Sequence, residues 1–128
     1  TTGGNPVACA AANMVLQVIK DEALMHNADS IGKLLCDGIR ELADRYPIIG
    51  DVRGSGLFIG VELIKDTETL EPAALEARSI TDALRNEGVL IGVDGIHSNV
   101  LKIRPPMVIN ESNANFLLQT FQQVLENA

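Results

Sequence analysis

The stretch Leu57-Phe58-Ile59-Gly60-Val61-Glu62-Leu63-Ile64 limits what this chain can fold into more than any other. Leu57, Ile59, Val61 and Leu63 fall on one side of an extended backbone, and Phe58, Gly60 and Glu62 on the other, because successive side chains of a strand point to opposite faces. One side is continuously apolar and the other mixed, as in a strand of a sheet covered on one face. Gly60 inside it predicts a bulge or the close approach of another group. Just ahead, Ile48 to Gly56 reads as a short extended piece and a glycine-rich bend, with Arg53 beside the bend.

The remaining elements place helices around this strand. Pro6 to about Glu22 is a helix, with Asn5 as its cap and Pro6 at the first helical position. Its Ala8–Ala12 run is followed by Met14, Val15, Leu16, Val18 and Ile19. A helix apolar nearly all round predicts protein on both sides of it. Ile31, Leu34, Leu35, Ile39 and Leu42 recur at helical spacing and mark a second helix that Pro47 ends, with His26 in the connection before it. Pro72 to Glu87 is a third helix, stopped by Gly88. Val89–Val93 reads as a strand, Asp94–Asn99 as a polar turn, and Val100–Ile103 as a last strand closed by Arg104-Pro105-Pro106. Asn110 or Ser112 caps a final helix that buries Ala114, Leu117, Leu118, Phe121, Val124 and Leu125. With hairpin-length links this order predicts an α+β fold: a small, mostly antiparallel sheet of three or four strands with about four helices packed on it, in a single domain.

Charge and composition narrow the function classes. A net charge of −7 over 128 residues argues against nucleic acid, which requires clustered cations. No apolar run approaches a membrane span, and the first residues lack the basic region of a signal peptide. Cys9 and Cys36 are the two cysteines; with no CxxC pair they read as reduced thiols of a cytoplasmic protein, Cys9 packing as a small hydrophobe. His26 and His97 have no companion ligands at metal spacing, so no metal site is expected.

No complete nucleophile, acid–base pair or phosphate loop stands out. What remains is a set of anion-binding candidates. The turn Thr1-Thr2-Gly3-Gly4-Asn5 offers hydroxyls and free backbone N–H groups at a helix start. Arg53 suits an anion or, as the default, a surface ion pair. Lys102 and Arg104 share one face of an alternating strand, with no carboxylate near them in sequence. That face is either an anion contact or a solvated sheet edge.

Three segments carry a resemblance. Thr1-Thr2-Gly3-Gly4-Asn5-Pro6-Val7-Ala8-Cys9-Ala10, Val52-Arg53-Gly54-Ser55-Gly56-Leu57 and Asn99-Val100-Leu101-Lys102-Ile103-Arg104-Pro105-Pro106 resemble, in the same order, segments of the class III aminotransferases, enzymes of pyridoxal phosphate (PLP) fold type I. The resemblance implies a C-terminal portion of a larger enzyme: residues 1–22 an interdomain helix with a cofactor-phosphate turn, and residues 23–128 a small domain. It implies that Thr1, with Thr2, contacts the PLP phosphate of a partner subunit in a homodimer, and that Lys102 and Arg104 face the substrate. The lysine that holds PLP covalently lies upstream in the family, and none of Lys20, Lys33, Lys65 or Lys102 matches it, so the fragment alone is expected to be inactive.

Two departures bear on specificity. Thr2 stands where the family usually has an aromatic, and Lys102 stands where many members have a carboxylate-clamping arginine. Lysine is a point charge and lacks the planar fork. The Lys102-to-Pro106 run is similar to the ethanolamine-phosphate phospho-lyase branch. The expected function is amino transfer from an ω-amino acid or amine to a keto acid. The alternatives are phospho-lyase chemistry on a phosphorylated amino alcohol, or a non-catalytic α+β binding or dimerisation module.

Overall fold

Gly56 and Leu57 form a two-residue turn between strands β1 (Ile49–Ser55) and β2 (Phe58–Leu63), with Ser55 opposite Phe58. Gly56 has φ +52, a backbone that glycine adopts without a Cβ clash. The computed structural model describes residues 3–127. Helices α1 (Pro6–Asp21) and α2 (Leu24–Ala43) precede this hairpin, and α3 (Ala74–Asn86), β3 (Gly92–Asp94), β4 (Val100–Ile103) and α4 (Glu111–Glu126) follow it. The strands form one sheet in the order β1-β2-β4-β3, every neighbouring pair antiparallel. The expected α+β architecture is therefore the observed one.

Alternation sorts the two faces. Val52, Ile59, Val61, Leu63, Leu101 and Ile103 are buried on the side that α2, α3 and α4 cover. Phe121 is 1% exposed; it and Leu117 of α4 line a small enclosed gap with Leu101 and Ile103. Asn99 is buried at the start of β4, where its Nδ2 donates to the Leu63 carbonyl at 2.8 Å and its own carbonyl accepts from the Leu63 N–H. A buried amide with both bonds made locks register without leaving an unsatisfied group.

Several local expectations shift. Asn5 does cap α1, its Oδ1 accepting from Val7 N at 3.0 Å and Ala8 N at 3.2 Å. Asn110, and not Ser112, caps α4. His26 sits in the first turn of α2 and not in a connection, because only Glu22 and Ala23 separate the helices. Asn27 holds that turn in place, donating to the carbonyls of Met107 and Ile109. The predicted strand Val89–Val93 shortens to Gly92–Asp94. Continuing its register would set Leu90 against Arg104 and Val89 against Pro105, and a proline has no N–H for the ladder. Of the two alternatives expected at Gly60, the close approach is the one found, since a Cβ there would meet Val100 Cγ1 at 3.3 Å; the irregularity in the pairing falls between Ile49 and Asp51.

The largest departure is α1. It packs only against α2 among the described elements, and Met14, Val15 and Leu16 are exposed. Cys9 is exposed with it and does not pack as expected.

Among the described glycines, Gly32 of α2 is the one most closely approached, by the hairpin turn. A Cβ on Gly32 would lie 2.1 Å from the Gly56 carbonyl oxygen, and backbone cannot yield as a side chain does. Gly32→Ala is expected to destabilise the chain by about 1–3 kcal/mol, read as a lower urea midpoint. Gly92→Ala, whose Cβ would meet only Lys102 Cε at 3.7 Å, is expected to leave that midpoint nearly unchanged.

Candidate functional site

The uncovered face of the sheet gathers the charged residues. Pairing sets Arg53 opposite Gly60, Gly60 opposite Lys102, and Lys102 opposite Gly92, so one row across the four strands reads Arg53, Gly60, Lys102, Gly92. The next row reads Asp51, Glu62, Val100, Asp94. Residues two apart on a strand share a face, so a cationic row lies directly beside an acidic one.

The ion pairs run between these rows. Arg53 Nη1 donates to Asp51 Oδ2 at 2.6 Å and Glu62 Oε2 at 2.7 Å. Those two carboxylates push the Arg53 pKa further up, chiefly through their hydrogen bonds. The expected default for Arg53, an ion pair, is what the structure contains. Lys102 Nζ donates to Asp94 Oδ2 at 2.6 Å, and Asp94 Oδ1 accepts from Gly95 N at 2.8 Å. The Lys102 hydrogen bond, then the Gly95 N–H, hold the Asp94 carboxyl below the usual carboxylate range. It is ionised at neutral pH.

Lys102 and Arg104 do come to one face, but in different settings. Lys102 is half-buried within β4; Arg104 lies beyond the strand, exposed, with Cζ 5.3 Å from the Phe58 ring centroid. That is cation–π distance. Arg104 makes no ion pair among the described residues. A shallow hollow beside it is lined by Met25, Asp29, Ser55, Phe58 and Met107. The expectation that the two cations lack a carboxylate is corrected for Lys102, because the turn folds Asp94 back across the strand pair. The Asp94–Asn99 turn already named both ends of that hairpin; its register was the missing piece.

Thr1 and Thr2 lie outside the described residues. His26 and His97 are exposed, and the described residues contain no cluster able to hold a metal ion. No lysine among them is fully buried, and Lys33, Lys65 and Lys102 are each ion-paired at the surface. On this face the Lys102 ammonium is bonded to Asp94, and Arg104 lies against the Phe58 ring with no ion pair among the described residues.

Residues 1–125 match the family described as aminotransferase class III, whose cofactor is PLP. The ethanolamine-phosphate phospho-lyase homolog 1 of Caenorhabditis elegans is 44% identical over 126 residues, 98% of this chain and 27% of that protein. Two solved structures superpose closely. A Bacillus anthracis aminotransferase has a TM-score of 0.92 at 35% identity, covering 100% of this chain and 30% of its own. An Arthrobacter phospholyase in complex with phosphoethanolamine has a TM-score of 0.91 at 36% identity, covering 96% and 29%. The chain thus spans between a quarter and a third of the length of these proteins. With the fold, the order of its segments and the match across residues 1–125 in agreement, the chain belongs to the class III aminotransferases.

Proposed function

We propose that these residues form the small-domain part of a PLP-dependent class III aminotransferase that moves an amino group from an ω-amino acid or amine to a keto acid. Supporting this reading is the uncovered sheet face, which carries Lys102 within β4 and, past the end of the strand, Arg104 at the edge of a shallow hollow. In it, Lys102 and Arg104 hold and orient the substrate's far end. Thr1 and Thr2 serve the cofactor phosphate across a homodimer interface, residues 1–22 bridge to a large domain, and residues 23–128 are the small domain. The lysine that carries PLP belongs to that large domain. The protein works in the cytoplasm in this reading; no described helix is long and apolar enough to cross a membrane.

The bare α1 fits the same picture. Covering Met14, Val15 and Leu16, now 62%, 58% and 65% exposed, would contribute about 1–2 kcal/mol for each side chain. A binding or dimerisation module would also cover such a helix, and it is the match to an enzyme family over residues 1–125 that speaks against that alternative.

A second reading keeps the cofactor and changes the reaction to phospho-lyase chemistry on a phosphorylated amino alcohol. It is favoured by the 44% identical phospho-lyase homolog and by lysine at position 102.

The full-length enzyme is expected to transfer an amino group only when a keto acid is present. Inorganic phosphate released from phosphoethanolamine with no keto acid would put the lyase reading first. The 128-residue chain alone, mixed with PLP, is expected to develop no stable lysine-dependent absorbance band; such a band would place the cofactor lysine within it.

A further inference from the structure

We infer that Asp94 determines how strongly this site takes an anion, by engaging the ammonium of Lys102 in an ion pair on the sheet surface. The inference rests on the proposed substrate role of Lys102 and goes beyond it, naming the residue that governs that contact. Three observations carry it.

First, Asp94 is fixed at both oxygens, by Lys102 Nζ at 2.6 Å and by the Gly95 N–H at 2.8 Å. It is thereby built into the start of the turn and does not merely drift near the lysine. Second, Gly60 and Gly92 flank Lys102 in its row, so no side chain on either neighbouring strand of that row steers the ammonium, and Asp94 is its one ion-pair partner among the described residues. The other carboxylates of the acidic row, Asp51 and Glu62, are already bonded to Arg53. Third, Asp51 and Glu62 both bond to Arg53 and Asp94 bonds to Lys102, so of the three cations of the face Arg104 alone has no carboxylate partner among the described residues. A small carboxylate or phosphate approaching Lys102 must compete with Asp94 for the ammonium and meets its negative charge while doing so. Opposing charge of this kind discriminates among ligands as effectively as an added attraction.

Asp94→Asn separates the charge from the geometry, since the amide oxygen can still accept from Gly95 N. In the PLP-loaded full-length enzyme, calorimetric titration with inorganic phosphate and with succinate is expected to give dissociation constants about 3- to 5-fold lower for Asp94→Asn than for the parent, the range of one exposed ion pair. Asp94→Glu, which keeps the charge, is expected to bind like the parent. In a Lys102→Ala background the Asp94→Asn gain should vanish. If Lys102→Ala weakens anion binding but Asp94→Asn leaves it unchanged or weaker, the inference is overturned and the role of Lys102 stands. If Lys102→Ala has no effect on either anion, the substrate role of Lys102 falls, and the inference with it.

Discussion

β4 is hydrogen-bonded on both sides, to β2 and to β3, and its register decides what each face of the sheet contains. Because side chains alternate along a strand, a slip of one residue would carry Lys102 into the core and bring Leu101 or Ile103 out to solvent. Both leucine and isoleucine are at most 2% exposed, so burial alone holds the register strongly. Asn99 adds a directional lock at one end through Leu63, and Pro105 and Pro106 end the ladder at the other. The charged rows follow from this. They need no separate design beyond placing acids and bases on the outward positions of correctly paired strands.

How much of this could be read from the residues depended on whether the deciding interaction was local. The alternation of β2, the Asn5 cap and the Gly88 stop, where φ is +86, are properties of a few consecutive residues. The length of β3 was not, because Val89–Ile91 are as strand-like as any triplet, and the strand they would pair with runs out at Arg104 and Pro105, over a dozen residues away. His26 was likewise misplaced: its helix is held at that point by Asn27 reaching carbonyls about 80 positions on. The same division holds at the candidate site. Lys102 and Arg104 were visible as cations on one side of a strand, whereas Asp94 as a partner and Phe58 beneath Arg104 required the register of three strands.

The two uncovered surfaces differ in kind. On α1 the exposure is aliphatic, and what it lacks is contact with another nonpolar surface. On the sheet the exposure is ionic, with Arg53 and Lys102 already paired to carboxylates, so it is stable in water as it stands. Family membership gives these differences a common setting, since the related proteins are three to four times longer than the residues described. An aliphatic helix gains from permanent cover; an ionic face tolerates solvent and can exchange partners.

The glycines beside Lys102 have a consequence for its motion. The lysine chain leans over Gly92, where a Cβ would stand 3.7 Å from its Cε, and on the other side it faces Gly60. Its row therefore restrains it sideways by almost nothing steric. What fixes the ammonium is an electrostatic tether to one exposed carboxylate, and such tethers weaken as mobile ions screen them over a length of about 8 Å at physiological ionic strength. The orientation of this side chain is thus a property of the protein together with its salt, whereas the strand that carries it is a property of the protein alone.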